Sequence, residues 1–307
     1  MPVLRMSLGP KQGALEVASK FSRVLLEDER VRHRITSIVA FGSANKPSDF
    51  LKGLSDIDVL VMVDRRSRSL ESQIRRLASS VDYSLSPVLL SRRKFVSMLK
   101  AGDPGALLML EGTVFYDKGA FSRARKAGFR PTEQTVKTSI DHAFRALSIS
   151  INDYFSGLDL CESINCAYHC ARHALRALTV KEIGAMPVSD REVIRGASKY
   201  LKLQKLYREI LRARRDFKTL VKGCHEAGTR IPTRALLDEI GKLLLKAERV
   251  AVDSSELCFG NRPPSMLELL NSAKRKFGSF KVVGVFWQGA SWSLVAEHRG
   301  KIKQLSA

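Results

Sequence analysis

Two aspartates separated by a single residue are the feature of this sequence best suited to chemistry. Asp56 and Asp58 alternate with Ile57 and Val59 at the start of an apolar run. Alternation with a period of two is typical of a β-strand, whose successive side chains point to opposite faces. The two carboxylates would therefore share one face and repel each other. A divalent cation with oxygen ligands is the natural partner of such a pair.

A glycine–serine pair precedes the aspartates. A short apolar run ends on Gly42 and Ser43, and a polar loop with Pro47, Asp49 and Gly53 follows. Glycine at the end of a strand allows the backbone to turn sharply. If a helix begins there, its free N–H groups and the Ser43 hydroxyl form an anion site. A phosphate site beside a divalent-cation site suits the chemistry of nucleoside triphosphates.

The spacing of these groups matches a known signature. Residues 39–63 read VAFGSANKPSDFLKGLSDIDVLVMV. This segment resembles the signature of the DNA polymerase β-like nucleotidyltransferase superfamily, which has an apolar strand, a Gly-Ser or Gly-Gly pair, a spacer of similar length, and Asp-apolar-Asp/Glu on the next strand. The resemblance covers roughly residues 10–120, and within the superfamily it is greatest to the minimal nucleotidyltransferases.

The resemblance implies a two-metal transfer reaction. Asp56 and Asp58 would hold two Mg²⁺ (or Mn²⁺) ions that bridge the triphosphate and the acceptor oxygen, as in other in-line displacements. Gly42 and Ser43 would bind the β- and γ-phosphates. The expected reaction transfers a nucleoside monophosphate, AMP from ATP, to a hydroxyl acceptor, for which RNA, a protein tyrosine and a small molecule all remain open.

A third carboxylate often lies on the next strand in this superfamily. Here the corresponding segment reads VDYSLSPVLLS, with Asp82 at its start and Ser84 and Ser86 in its middle. Asp82 is the candidate for the third catalytic carboxylate. Lys46, three residues after Ser43, is a candidate contact to the triphosphate or a solvated loop lysine. Without a third carboxylate, a catalytically weak or inactive nucleotide- or RNA-binding module is the alternative.

The composition bounds the class of protein. The 307 residues are 44% hydrophobic and 27% charged, ordinary values for a globular protein. The formal net charge is +21, from 52 Lys and Arg against 31 Asp and Glu. Such an excess favours a polyanionic partner, with a generally basic, solvated surface as the alternative.

A membrane-spanning or secreted chain would show a long apolar run or the apolar core of a signal segment. No apolar run approaches the roughly 18 residues that span a bilayer, and the N-terminal residues lack the apolar core of a secretory signal. Five cysteines, three of them within residues 161–170, do not suggest a secreted disulfide framework. The sequence therefore predicts a cytoplasmic protein with no membrane partner.

Apolar periodicity predicts an α+β protein in three parts. Residues 1–125 are expected to form a small mixed sheet flanked by helices, which the resemblance implies is a nucleotidyltransferase domain. Residues 130–258 are expected to form an antiparallel helical bundle, and residues 259–307 a short helix and a β-hairpin tail. The tail is too small to fold alone and should dock elsewhere. The predicted strands are Ile35–Phe41, Ile57–Val63, Tyr83–Leu90, Gly112–Tyr116, Lys281–Trp287 and Ser291–Glu297.

The helical part resembles a HEPN-type bundle, which commonly accompanies minimal nucleotidyltransferases. The resemblance is carried by AFRALSISINDYFSGLDLCESINCAYHCARHALRALTV. Ribonucleolytic members have an Arg followed four to six residues later by His, and this sequence has no such pair. A nucleotide- or acceptor-binding platform is therefore expected, and a fused relative of a toxin–antitoxin pair belongs to the alternative binding function.

Two further groups of residues have both a functional and a structural interpretation. The first could bind zinc, but small cysteines on an Ala-rich helix favour core packing; it comprises Cys166, His169, Cys170 and His173. The second could stack on bases, but a small core within the tail is favoured; it comprises Phe280, Phe286, Trp287 and Trp292.

Overall fold

The chain divides into two compact units, with the boundary between Phe129 and Arg130. The computed structural model describes residues 13–46, 50, 55–156, 159–226 and 233–306, without the side chains of residues 218, 221–226 and 233. Each unit has its own cluster of buried apolar side chains. Mixed α+β architecture, as predicted, is confirmed in the element order of the whole chain.

The first unit is built on a four-stranded mixed sheet. The strand order is β3-β2-β1-β4, in which β1 is antiparallel to β2 and β4, and β2 is parallel to β3. The strands are β1 Ile35–Ala40, β2 Ile57–Val63, β3 Leu85–Ser91 and β4 Thr113–Asp117.

The two central strands are apolar because both of their faces are covered. Every residue of β1 is buried, and in β2 Asp58 is the one residue that is not fully buried. Strands buried on both faces are nearly continuous apolar runs. Among the described strands β3 lies at the edge of the sheet, where Pro87 is tolerated because no further strand needs its missing N–H donor.

Six helices in the described part of the first unit surround this sheet. Residues on the Ile57 and Val59 face of β2 pack with side chains of the first and third helices, including Phe21 and Leu70. The helices are α1 Ala14–Glu27, α2 Glu29–Arg32, α3 Arg68–Val81, α4 Arg92–Lys100, α5 Pro104–Leu110 and α6 Ala120–Lys126. Side chains of Ser67, Ser91 and Asp103 accept hydrogen bonds that begin α3, α4 and α5.

The second unit is mainly helical. Its most buried helix, α8, is rich in alanine and packs against α7, α9, α10 and α11. The helices are α7 Glu133–Ser156, α8 Leu160–Ile183, α9 Asp190–Gly196, α10 Leu201–Glu226, α11 Thr233–Phe259 and α12 Met266–Phe277. Small side chains let helices approach closely; a Cβ on Gly196 of α9 would lie 2.2 Å from Cγ2 of Thr179 on α8. Gly157, predicted to end the first long helix, lies outside the described residues.

The tail is a three-stranded antiparallel sheet, so the predicted two-stranded hairpin was incomplete. Its strands are β5 Lys281–Gln288, β6 Ser291–His298 and β7 Lys301–Ser306. Gly289 and Ala290 both have positive φ in the first turn, and Arg299 and Gly300 repeat this in the second. The third strand was missed because KIKQLS is mostly polar and five of its six residues are exposed.

The tail docks, as predicted, and the structure shows that the surface it docks on is α7. Trp292 is fully buried and Trp287 is 8% exposed; both rings contact Phe144 of α7, at centroid distances of 5.9 and 4.1 Å. The Asn152 side chain of α7 accepts a hydrogen bond from the Val285 N–H (2.7 Å) and donates one to its carbonyl (2.8 Å). The two tryptophans are core residues, but the core that they join is that of the helical unit and not the predicted small core within the tail, and Phe286 of the same group is 45% exposed.

None of the described helices is both long enough and apolar enough to cross a membrane. The four cysteines in the described part are free thiols, and three of them, Cys166, Cys170 and Cys258, are buried. Burial raises the pKa of each of these thiols, that of Cys258 to about 11. They are therefore neutral, packed side chains at neutral pH.

Candidate active site

Strand β2 positions the two aspartates at its beginning. Asp56 is exposed and directly precedes the strand, while Asp58 is partly buried as its second residue. Ile57 and Val59, between and after them, point into the core beneath α1 and α3 and are 2% and 0% exposed. The rigid, buried body of β2 thus holds the Asp58 carboxylate on the opposite face of the sheet from α1 and α3.

The glycine–serine turn lies directly against Asp58. Gly42 has φ +69°, in the left-handed region, and begins a 3-10 turn, Gly42–Asn45. A Cβ atom at Gly42 would lie 2.8 Å from Oδ2 of Asp58, too close for a real side chain. The Phe41 N–H also donates to the Asp58 backbone carbonyl at 3.0 Å. Glycine is required here both by the backbone conformation and by the neighbouring carboxylate.

The turn is fixed from its other end by Asn45. The Asn45 side chain donates to the Glu111 carbonyl at 2.8 Å and accepts a hydrogen bond from the Thr113 hydroxyl. These bonds tie the turn to the start of β4, where Gly112 lies so close to β1 that a Cβ would be 2.5 Å from the Ala40 carbonyl oxygen. The Ser43 side chain, in the middle of the turn, is partly exposed.

Strand β3 places serines beside the aspartates. In the parallel register of β2 and β3, Ser86 is the partner of Asp58, and the Ile57 N–H donates to the Ser84 carbonyl at 2.7 Å. Side chains in register on neighbouring strands share a face, so the position beside Asp58 carries a hydroxyl group.

Asp82 lies before β3 instead of within it. Its Oδ1 accepts from the Ser84 N–H at 2.8 Å and from the Ser84 hydroxyl at 2.7 Å, a local turn that ends α3. Because of this turn, β3 begins at Leu85, two residues later than predicted. The Asp82 carboxylate is thus directed to its own chain, and its catalytic role stays a prediction.

Two basic residues, Lys46 and Arg66, follow the turn and β2 respectively. Lys46 follows the 3-10 turn, and its backbone N–H donates to the Ser43 carbonyl at 3.0 Å. Arg66, just after β2, pairs with Glu71 at 2.6 Å. Pro47, Asp49, Lys52 and Gly53, in the polar loop, lie outside the described residues.

Asp117, which sequence reasoning passed over, is a structural carboxylate at the end of β4. It accepts hydrogen bonds from the Ser37 hydroxyl (2.7 Å), the Phe121 N–H (3.0 Å), and the Ser122 N–H (2.9 Å) and hydroxyl (2.6 Å). Burial alone would raise its pKa, but these bonds outweigh burial and hold the pKa at about 2. The sequence signal that could have identified this role is Asp117-Lys118-Gly119, an Asp-x-Gly segment directly before the helix α6.

A second polar cluster, also missed, lies inside the helical unit. Asp190 at the start of α9 accepts from the hydroxyls of Tyr168 (2.9 Å) and Tyr207 (2.6 Å), and the Arg172 Nε lies 3.2 Å away. Arg214 of α10 lies over the Tyr168 ring at 4.1 Å. Burial raises the pKa of Tyr168 to about 12, so both tyrosines remain protonated donors near neutral pH.

The cysteines and histidines of α8 that could have bound zinc have different surroundings. They are Cys166, His169, Cys170 and His173. Cys170 is buried among apolar side chains, as the packing interpretation predicted, whereas the buried Cys166 thiol donates a hydrogen bond to Oε1 of Glu162 at 3.1 Å. The His169 ring lies 6.2 Å from that of His173, and burial lowers the pKa of His169 to about 3. Among the described residues no group of three or more His, Cys, Asp or Glu side chains is arranged to hold a metal ion.

Comparison with solved structures finds a crystal structure of a nucleotidyltransferase-like protein from Exiguobacterium sibiricum 255-15. The two chains are 16% identical, the match covers 86% of this chain and 82% of that one, and the TM-score is 0.32. Neither the protein-family models nor the curated proteins give a match. A likeness at this TM-score does not assign a function, so the function must be sought in the residues of the site.

Proposed function

We propose that this protein is a metal-dependent nucleotidyltransferase that transfers AMP from ATP to a hydroxyl acceptor and releases pyrophosphate. The observation that carries the proposal is the contact between two sequence-distant groups: Gly42 of the glycine–serine turn lies against the carboxylate of Asp58. A phosphate held by the turn would therefore lie next to a carboxylate that attracts divalent cations.

The chemistry of the donor set fits Mg²⁺ or Mn²⁺. Magnesium in nucleotide sites is typically bound by one or two carboxylates, and its other ligands are waters and substrate phosphates. Asp56 and Asp58 supply the carboxylates, and Ser86 adds a hydroxyl beside Asp58. A bound cation would neutralise charge on the phosphate oxygens and polarise the α-phosphate. The protein itself does not need a closed cluster of three ligands for such a site.

The other residues would orient the nucleotide. The backbone N–H groups of Gly42 and Ser43, with the Ser43 hydroxyl, would hold the β- and γ-phosphates, and the Asn45 bonds would keep the turn in place. Preorganised donors and ions are the main source of rate enhancement in phosphoryl transfer, since little covalent chemistry is left to the protein. Lys46 would add a cation at the end of the turn.

A second function, nucleotide or RNA binding without efficient transfer, is favoured by one observation. The position beside Asp58 on β3 holds Ser86, and the carboxylate of Asp82 is bonded to Ser84. If no third carboxylate deprotonates the acceptor hydroxyl, the same site would bind metal and nucleotide but transfer slowly, because a general base contributes typically 10²–10⁴-fold.

Radiolabel transfer tests the two functions together. The protein is incubated with α-³²P-ATP, Mg²⁺ or Mn²⁺, and either total RNA or total protein. We expect labelled product with the wild-type chain, and its loss in Asp56→Asn and Asp58→Asn. The matched control is Asp64→Asn, because Asp64 is an exposed aspartate directly after the opposite end of β2.

The outcomes separate the candidates. Transfer that persists in the Asp56→Asn/Asp58→Asn double variant would exclude this site. Saturable, metal-dependent ATP binding that is lost in the double variant, without transfer to any acceptor, would instead establish the binding function. The net charge of +21 favours RNA as the acceptor, and RNA and protein arms run in parallel decide between them. The HEPN-type identity of the helical unit and a cytoplasmic location remain predictions.

A further inference from the structure

A deeply buried arginine in the helical unit has most of its donors unused. Arg176 of α8 is 4% exposed, and its Nε donates to the Pro187 carbonyl at 3.2 Å. A guanidinium group has five N–H donors. No hydrogen bond from Nη1 or Nη2 and no ion pair of Arg176 occurs among the residues that the structure describes, and neither atom is among the buried polar atoms that lack a partner, so both reach solvent.

Arg176 nevertheless remains charged. Burial and the nearby charge of Arg172 lower its pKa, but only to about 9. The carboxylate that acts on it, Asp190, already accepts hydrogen bonds from Tyr168 and Tyr207 and has Arg172 beside it. Because Asp190 is already engaged by these three groups, an anion that approached Nη1 and Nη2 from solvent would meet a guanidinium without a close counter-charge of its own.

A histidine on the same face of α8 also has an unused polar atom. His173 lies three residues before Arg176, a spacing that makes two side chains neighbours on a helix. Its Nδ1 is buried and has no hydrogen-bond partner among the described residues. Of the surrounding charges, that of Arg176 acts on His173 most strongly. The His142 ring of α7 lies 5.5 Å away at the edge of this group.

We propose that Arg176 and His173 of α8 form an oxyanion site that binds one phosphate group. The planar fork of Nη1 and Nη2 matches two oxygens of a phosphate, and arginine is the residue best suited to such two-point binding. Nδ1 of His173 supplies a third donor in its Nδ1–H form. His142 lies at the rim. This site belongs to the helical unit alone and does not depend on nucleotidyl transfer.

The competing explanation is that Arg176 is purely structural. Arg172 donates to the Val188 carbonyl at 3.2 Å, next to the Pro187 carbonyl that Arg176 contacts. Two arginines could thus serve only to hold the connection between α8 and α9. This explanation predicts a loss of stability when Arg176 is replaced, but no response of the wild-type protein to phosphate.

Calorimetric titration of the full chain with inorganic phosphate tests the site, at constant ionic strength and with EDTA to remove divalent cations. We expect saturable one-site binding by the wild type. In Arg176→Gln the affinity should fall about tenfold or more, because the charge-assisted hydrogen bonds of the guanidinium are lost. The matched control is Arg212→Gln on α10, an exposed arginine, which should bind phosphate like the wild type.

A spectroscopic measurement covers the case in which Arg176→Gln does not fold. In the wild-type protein labelled with ¹⁵N-histidine, phosphate should shift the His173 Nδ1 resonance, which is identified by its loss in His173→Gln. A wild-type chain that shows neither saturable heat nor a shift at His173 would overturn the proposal. Equal loss of phosphate affinity in Arg212→Gln would do the same, because it would place binding on the general positive surface.

The phosphate group has two possible sources, and a parallel titration with AMP distinguishes them. AMP that binds at least as tightly as inorganic phosphate, with the same loss in Arg176→Gln, indicates the terminal phosphate of a nucleotide or RNA end. Binding of inorganic phosphate alone indicates a site for the free ion. Both results support the oxyanion site, and they assign its occupant.

Discussion

At the scale of single residues, Gly42 shows how one missing side chain shapes the candidate active site. Two separate demands require glycine at this position. Its φ is +69°, and an added Cβ atom would lie 2.8 Å from Oδ2 of Asp58. The first demand concerns the backbone and the second concerns the carboxylate. The two can be separated experimentally because Gly128 makes the first demand only: its φ is +67° and nothing lies within 4 Å of an added Cβ.

We therefore expect Gly42→Ala and Gly128→Ala to differ. Gly128→Ala should destabilise the protein by about 1 kcal/mol through its backbone and leave transfer unchanged. Gly42→Ala should also displace the Asp58 carboxylate and lower transfer by about 100-fold, the effect expected of a misplacement near 1 Å. Urea unfolding and label transfer measure the two effects. Equal transfer by both variants would contradict the contact between Gly42 and Asp58.

Asp117 should stabilise the first unit in a pH-dependent way. Its pKa in the folded protein is about 2, below its ordinary value of 3.8, so its stabilisation is complete above about pH 4 and is lost as the pH falls towards 2. We expect Asp117→Asn to lower the free energy of unfolding by about 1–2 kcal/mol at pH 7, and the difference from wild type to shrink at pH 3. Urea unfolding at both pH values tests this, with Asp64→Asn as the exposed control.

Some of the site was predictable from the sequence, and the reason is local. The alternation of Asp56 and Asp58 with apolar residues fixes their shared face, because the period of a strand is two. Arg176 and Asp117 could not be identified in the same way. Their roles depend on partners such as Pro187 and Ser37, which a periodic pattern does not specify.

At the scale of elements, the register between β2 and β3 decides which residue stands beside Asp58. That residue is Ser86. We expect Ser86→Asp to place a third carboxylate at the site and to tighten Mn²⁺ binding by about tenfold, since more ligand charge raises cation affinity. Titration calorimetry measures the change. Ser72→Asp, on the exposed face of α3, controls for added charge, and equal gains in both variants would argue against a metal site at Asp58.

The attachment of the tail sheet to α7 depends on buried aromatic rings. Replacing the fully buried Trp292 by Ala should lower the free energy of unfolding by about 3–5 kcal/mol, as for other large core residues. Phe286→Ala should change it by less than about 0.5 kcal/mol, because Phe286 is 45% exposed. Chemical unfolding measures both. A small effect at Trp292 would mean that the tail is not part of the core.

The elements show where sequence patterns succeed and fail. Strands β1 and β2 were predictable because their burial produces long apolar runs. Strand β7 was not, because its pairing with β6 is made by backbone groups while its side chains stay largely exposed. A pattern of side chains cannot report an element that is held mainly by backbone hydrogen bonds.

At the scale of the whole molecule, two separate apolar cores predict two unfolding transitions. One core lies within residues 14–116 and the other within residues 136–305. We expect calorimetric melting to show two components, with Asp117→Asn lowering one and Trp292→Ala lowering the other. A single transition that both variants shift equally would show that the units unfold together.

The two hydrogen bonds between the Asn152 side chain and the Val285 backbone have a consequence for protein synthesis. The two residues are 133 positions apart, and the ribosome makes the chain from the N-terminus, so α7 leaves it well before the tryptophans that cover Phe144. During that interval the nascent helical unit presents an uncovered apolar face, and such faces attract chaperones and other unfinished chains. These later strands thus complete the core of helices that were made before them, and slow translation of the tail would prolong the vulnerable period.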